Sequence, residues 1–400
     1  MTPTATRSAA VERLATFVPL AGLSYSGNRN RDPGPAQRGH VSRLSPYLRH
    51  RVLAENEVLR AVLDRHGREA AGTFVQEVFW RSYFKGWLEL RPSVWSDYRD
   101  TLAADLDAVA TQSGLRQAWE AACRGETGIA CFDAGARELV ETGYLHNHAR
   151  MSLASIWIFT LGLPWALGAD FFIRHLFDGD PASNTLGWRW VAGLQTRGKP
   201  YLASAEAIAA CTDGRFRPAP EELAMSARQI DGPENPPPGA PPEQARFDPA
   251  VPTAFLLHED DLSPDWLFRS GLAPLGTGVL GASTELTPLR MAPRVLAFRE
   301  ALARDAADRL GPSLGSVQTL LPDPAAIATW ARGLGARQIV TAYAPVGAVR
   351  DVLDRVEGLP VIRPLRDDDL RTWPHATAGY FKFRKRIPEF LDALDSVRAA

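Results

Sequence analysis

Over the first 230 residues, apolar side chains recur every three or four positions, the spacing of one helical face. In SPYLRHRVLAENEVLRAVLDRHG (45–67) this period follows Ser45, which predicts an N-cap with Pro46 in the first turn. AAGTFVQEVFWRSYFKGWLEL carries the same period, and FDAGARELVETG is a short amphipathic helix that ends on glycine. No alternating stretch in this half is strong enough to build a sheet. Beyond residue 249 the rhythm changes. PTAFLLH, TGVLGA, VQTLL, RQIVTAY and PVIRPL are apolar runs of strand length, and helical stretches such as APRVLAFREALARDAADRLG, PAAIATWARGLG and GAVRDVLDRVEG fall between them. That alternation predicts βαβ units and a parallel sheet. DGPENPPPGAPPEQARFDP (231–249) is rich in Pro and Gly and reads as a stiff, extended linker. The pattern therefore predicts a helical domain over 1–230, a linker over 231–249 and a smaller, Rossmann-like parallel-sheet domain over 250–400. The fold class is α plus α/β.

Composition narrows the classes. A chain of 400 residues can hold two cores, and 45% apolar with 23% charged residues is ordinary for a soluble globular protein. A net charge of −1 supplies no global attraction to nucleic acid or membrane, so any DNA contact needs a local basic patch. The candidate is the run from Arg29 to Arg51, where Arg29, Arg31, Arg38, Arg43, Arg49 and Arg51 accompany a single acid, Asp32. Cys123, Cys131 and Cys211 lack C-x-x-C spacing, which argues against a disulfide framework or a structural zinc and suits a reducing cytoplasm. The N-terminal stretch has no secretory pattern. The longest apolar run is broken by Gly162, Pro164 and Gly168, so it reads as buried helices and not as a membrane span. No G-x-G-x-x-G or Walker A loop follows any strand.

Several stretches carry candidate chemistry, each beside a plainer alternative. Two serines at a helix start in HVSRLSPYLRHR, with arginines near, suit a phosphate; a capped surface helix explains them too. In FVQEVFWRSYF, Phe74, Glu77, Arg81 and Phe84 share one helical face with Trp80 beside it. Glu77 there needs a partner or a task, and a Glu77–Arg81 surface pair is the structural alternative. His146 and His148 in GYLHNHARM read as helix-start residues, since their spacing does not converge on a metal. DGDPASNTLGWRW (178–190) offers a D-x-D pair, but no further oxygen ligand is obvious nearby. Asp178 as a helix cap is the plainer reading. His258, Glu259, Asp260 and Asp261 end the first strand, where open sheets bind ligands, and also read as a solvated acidic loop. Lys382, Arg384, Lys385 and Arg386 in FKFRKRIPEF form a basic helix start or surface patch.

Four motifs in order, SRLSPYLR (42–49), QEVFWRSYF (76–84), TGIACFDAGARELVETGYLHNHARM (127–151) and DGDPASNTLGWRW, closely resemble the FAD-binding helical domain of the photolyase/cryptochrome family. The second half, through TAFLLHEDDLSPDWL and TAGYFKFRKRIPEFL, is similar to that family's antenna-like α/β domain. The usual order is reversed, as in a circular permutation.

The resemblance implies FAD as cofactor and blue-light-driven repair of cyclobutane pyrimidine dimers in damaged DNA by electron transfer from reduced flavin. The alternative it carries is a cryptochrome-like photoreceptor without repair activity. It implies that Tyr25, Ser42, Leu44, Ser45, Arg81, Arg150, Asp178, Asp180 and Asn184 hold FAD. Within that set, Ser42, Leu44 and Ser45 serve the pyrophosphate, Arg150 pairs with Asp178, and Asn184 faces flavin N5. Glu77, Trp80, Asn147 and Met151 would line the lesion pocket. The branch that repairs (6-4) photoproducts has histidines at the positions of Asn147 and Met151, so the cyclobutane dimer is the expected lesion. Trp188 and Trp165 match carriers of the family's electron-transfer chain, with Trp157, Trp119 or a tyrosine open as the third. An antenna chromophore is left open.

Overall fold

A computed structural model describes residues 3–281 and 283–399. The helices before the linker are α1 (Arg7–Phe17), α2 (Leu23–Asn28), α3 (Ser45–Arg49), α4 (Glu55–Ala70), α5 (Gly72–Glu89) and α6 (Ser93–Thr111). They continue as α7 (Ser113–Arg124), α8 (Ala130–Thr142), α9 (Asn147–Ser155), α10 (Trp165–His175), α11 (Pro181–Val191) and α12 (Ala205–Cys211). After it come β1 (Thr253–His258), α13 (Asp265–Arg269), β2 (Gly276–Leu280), α14 (Pro293–Leu310), β3 (Ser316–Leu320) and α15 (Pro324–Gly333). The chain ends with β4 (Gln338–Thr341), α16 (Ala348–Leu353), β5 (Val361–Ile362), α17 (Asp367–Thr372), α18 (Tyr380–Arg384) and α19 (Ile387–Ala399). A helical half thus precedes a small α/β half. The linker 231–249 forms neither helix nor strand, as its prolines predict.

The compact units do not follow the linker. One consists of residues 1–2, 23–41 and 93–237; the other joins 3–22 and 42–92 to 238–400. The boundary expected at 231–249 therefore describes the change in local pattern, whereas packing assigns 42–92 to the α/β half.

The first unit is helical. Its core gathers Trp157, Phe171, Phe177, Leu186 and Trp188, each at most 2% exposed. Gly168 on α10 makes this packing possible: a Cβ there would lie 2.3 Å from the Trp188 ring. α8 stops at Gly143, whose φ of 69° is left-handed. Phe177 packs so closely on that glycine that a Cβ would come within 2.5 Å of its ring.

The second unit is built on a five-stranded parallel sheet in the order β3-β2-β1-β4-β5. All six residues of central β1 are buried, which is why TAFLLH reads as a continuous apolar run. PVIRPL contributes only the two residues of β5. α5 belongs to this unit because of its last turns. Gly86 lies against Trp373, where a Cβ would approach the backbone to 2.7 Å. Glu89, pushed up by burial, accepts from the Tyr343 hydroxyl (2.7 Å), the Val346 N–H (2.6 Å) and Arg350 (2.9 Å).

Two local expectations change. The helix expected to run on from Ser45 stops at Arg49 and resumes at Glu55, because Arg51 takes a left-handed φ of 48°. Its guanidinium is buried against Asp369 (2.6 Å) and Glu55 (3.4 Å). The N-cap position is Leu44 and not Ser45, and no side chain caps it.

Candidate functional site

In the first unit the D-x-D stretch resolves into two different carboxylates. Asp180 is the N-cap of α11, its Oδ1 accepting from the Ser183 N–H at 2.9 Å. Asp178 is not the cap. Its Oδ2 accepts from Arg150 Nη2 at 2.9 Å, and its Oδ1 is buried with no hydrogen-bond partner among the described residues. Arg150 is aimed by its own helix start, since Nε donates to the Leu145 carbonyl at 3.0 Å. Asn184, one turn into α11, donates Nδ2 to the Ala169 carbonyl at 2.8 Å. A carbonyl only accepts, so the amide must present Nδ2 there and turn Oδ1 the other way.

His146 caps α9 as a helix-start residue, its Nδ1 accepting from the His148 N–H. Its Nε2 then donates to the Arg29 carbonyl at 3.0 Å. Burial drives its pKa down to about 4, so the ring is neutral. Asn147, exposed, and Met151, half-buried, sit one turn apart with Nδ2 and Sδ separated by 3.7 Å. Tyr25 is buried on α2.

Four tryptophans of this unit fall into two groups. Trp188 meets Trp157 edge-on at 6.2 Å between centroids, with Phe172 at 5.0 Å. Trp165 faces Tyr98 at 5.7 Å, and Tyr98 meets Trp95 at 5.4 Å. Of the residues open as a third carrier, Trp157 touches Trp188, and a tyrosine, Tyr98, touches Trp165.

The other candidates lie in the second unit. The Ser42 carbonyl accepts from Arg13 at 2.6 Å, Leu44 is fully buried, and Ser45 begins the five-residue α3. On α5, Arg81 pairs with Glu55 at 2.7 Å. Burial pushes the Glu55 carboxyl up, but Arg51 and Arg81 together more than offset this and hold it at about 2. Trp80 lies flat on Tyr380, centroids 3.5 Å apart and planes 13° apart. The Tyr380 hydroxyl donates to the Gln76 carbonyl at 2.8 Å. Burial and the nearby Glu77 carboxylate push that phenol up.

Two expectations about charge are corrected. The run from Arg29 to Arg51 is not an open basic patch. Arg31 pairs with Asp213 (3.0 Å), and buried Arg38 with Asp32 (2.6 Å) and Glu138. Arg49 pairs with Asp260, and Arg51 with Asp369 at 2.6 Å. Nor is the acidic stretch at the end of β1 a solvated loop. Glu259, Asp260 and Asp261 are each at most 8% exposed. Their cations are Arg299 (3.3 Å), Arg49 and Arg366 (2.5 Å) respectively. The strand end where an open sheet offers a ligand crevice is here filled by the 49–51 turn. Charges this deeply buried persist only when paired, and Arg49–Asp260 joins the two anomalous runs directly.

Sequence reasoning missed Glu55 and Tyr380. Glu55 sits four residues after Arg51, a spacing that could have flagged it. Tyr380 lies 300 residues from Trp80 in the chain and carries no local signal of the stack.

Comparison with known proteins agrees with the motifs. Residues 74–214 match the family described as the FAD binding domain of DNA photolyase. A deoxyribodipyrimidine photo-lyase of Streptomyces griseus is 37% identical over 164 residues, 40% of this chain and 34% of that one. One from Alkalihalophilus pseudofirmus is 32% identical over 210 residues, 48% of this chain and 39% of the relative. Among solved structures, a class III photolyase from Agrobacterium tumefaciens has 30% identity and a TM-score of 0.43, covering 52% of this chain and 43% of that one. The chain thus spans well under half the length of these relatives. The helical region matches an FAD-binding domain over residues 74–214. The resemblance to the photolyase/cryptochrome family therefore rests on this helical region, over which the chain is similar to FAD-binding photolyase domains.

Proposed function

We propose that the protein is an FAD-dependent, light-driven lyase that splits cyclobutane pyrimidine dimers in DNA. The observation that carries the reading is the polar set around Asp178. Arg150 pairs with this carboxylate at Oδ2, while Asp178 Oδ1 stays buried without a donor among the described residues and Asn184 Oδ1 points away from its Ala169 anchor. A buried acceptor that no protein group satisfies is costly and fits a ligand that brings N–H donors. The edge of an isoalloxazine ring has such donors, so the residues fit FAD. Bound there, FAD would supply light-driven one-electron chemistry.

The chain's own residues would do the rest. Asp178 and Asn184 would orient the ring, and Asp180 caps the start of α11, the helix that carries Asn184. Tyr25, Arg81, Ser42, Leu44 and Ser45 are carried over as further FAD contacts, with the last three at the pyrophosphate. Trp188 and Trp165 are the proposed electron donors of the protein. Glu77, Trp80, Asn147 and Met151 are the proposed lesion contacts, and the Asn/Met pair favours the cyclobutane dimer over the (6-4) photoproduct.

A photoreceptor without repair is the second reading. It is favoured by one observation, the Tyr380 ring lying over a face of Trp80 that a pyrimidine could otherwise use. The test is to purify the protein, record its flavin spectrum, and illuminate it with a dimer-containing oligonucleotide. Loss of dimers in the light and not in the dark supports the lyase. Bound flavin without dimer loss supports the photoreceptor, and absence of flavin overturns both.

A further inference from the structure

α18 and the turn after it form a surface whose chemistry the sites above leave unused. The two sides of this element differ sharply. Tyr380 and Phe383 point inward and are 5% and 1% exposed, packed in an aromatic cluster with Trp80, Phe79 and Tyr83. The Tyr380 hydrogen bond to the Gln76 carbonyl fixes the element to α5. Phe381 points outward and is 72% exposed, far more than a phenyl ring on an ordinary surface. Lys382, Arg384 and Lys385 around it are exposed as well. The Arg384 guanidinium sits 5.5 Å from the Phe381 ring and 3.3 Å from Gln76 Oε1, so ring and cation are held together. No described carboxylate pairs with Lys382, Arg384 or Lys385, and the neighbouring Glu389 is taken by Arg386 at 2.7 Å.

We infer that Phe381, Lys382, Arg384 and Lys385 form a docking surface for single-stranded DNA. An exposed aromatic ring offers a platform for a base, and unpaired cations beside it take the flanking phosphates, the combination by which single strands are bound. The choice of DNA rests on the repair reading above; the aromatic-plus-cation chemistry does not. A membrane surface fits less well, because one phenyl ring on a five-residue helix buries too little apolar area to anchor. The mount of Tyr380 on Trp80 and the Gln76 carbonyl holds the backbone of α18 to α5, so little main-chain order is lost when a strand binds.

The test uses the full chain in the dark, with a fluorescein-labelled oligothymidine of roughly 16 nucleotides and anisotropy as readout. Phe381→Ala is expected to weaken binding about tenfold. Lys382→Ala combined with Lys385→Ala is expected to lower the slope of log affinity against log salt by about 1.4, roughly 0.7 per lost phosphate. Thermal midpoints and flavin content should match those of the parent. Unchanged binding by the variants, no binding by the parent, or preference for phosphatidylserine vesicles over DNA overturns the surface. Light-dependent dimer loss is measured in parallel. Dimer loss with variant-insensitive binding overturns the surface and leaves the repair reading. Variant-sensitive binding without dimer loss overturns the repair reading and leaves the surface.

Discussion

Two buried polar regions in this molecule look alike in composition and differ in what they do with their charges. In the second unit, the end of β1 and the 49–51 turn commit every acid to an arginine: Glu259 to Arg299, Asp260 to Arg49, Asp261 to Arg366. In the first unit, Asp178 gives one oxygen to Arg150 and keeps the other buried without a partner among the described residues. The contrast teaches that a charged cluster in a crevice is not by itself a site. Acids whose partners come from the same chain hold the fold together. Asp369 also keeps a buried oxygen without a partner among the described residues but is tied to the buried Arg51, whereas Asp178 is tied only to the partly exposed Arg150 and has capacity left for something the chain does not supply.

The comparison predicts a graded set of outcomes. Arg51→Ala should have the largest effect, because Asp369 and Glu55 lose a buried cation. Breaking such a pair from one side costs about 3–5 kcal/mol, read as a fall in the urea midpoint; a loss under about 1 kcal/mol would show that this region is more solvated than its burial implies.

Acid should reach the same region next. Glu55 is held at about 2, below its ordinary 4.5. Its stabilisation is therefore full above pH ~4.5 and is lost as pH falls from there toward ~2, a contribution of about 3 kcal/mol. Glu55→Gln should flatten that limb of the stability–pH curve, and an unchanged limb would assign the acid sensitivity to other carboxylates.

Gly168→Ala tests the packing of the first unit. A Cβ 2.3 Å from the Trp188 ring forces a rearrangement costing about 1–3 kcal/mol. The expected sign is a lower thermal midpoint together with a shifted tryptophan emission.

Asp178→Asn should have the smallest effect on stability and the most telling one on function. The purified apoprotein should unfold within about 1 kcal/mol of the parent, since Arg150 is partly exposed and its pair is worth little alone. Flavin absorbance per protein should nonetheless fall severalfold. Flavin retention at the parental level would place Asp178 with the structural acids and erase the contrast.

Much of this was legible in the sequence. The helical period of the first half and most of the short strand runs appear as helices and strands, because each is a local property. Four ordered motifs led to the helical domain, and the Arg150–Asp178 pair lies where the resemblance implies. The fate of the charges was not legible. Six arginines near residue 40 and three acids near residue 260 each look like open surface until the fold brings Arg49 to Asp260. That pairing joins positions 211 residues apart, beyond any periodicity. The Trp80–Tyr380 stack was hidden for the same reason. The break at Arg51 was hidden because a left-handed non-glycine residue is stabilised by its buried ion pairs and not by its own backbone preference.

The path of the chain between its two compact units bears on how the protein is made and degraded. Residues 3–22 and 42–92 belong with 238–400, whereas 23–41 belong with 93–237. A ribosome that has finished the helical half has therefore completed only one unit; the two N-terminal pieces of the other must wait for a sheet not yet synthesised. The same threading means that a nick within 231–249 severs a connector without yielding two self-sufficient modules. Residues 1–230 produced alone should carry an exposed α5, whose Gly86 face has lost Trp373, and should be prone to aggregation. The linker marks where the pattern of the sequence changes, and it is a poor place to divide the gene.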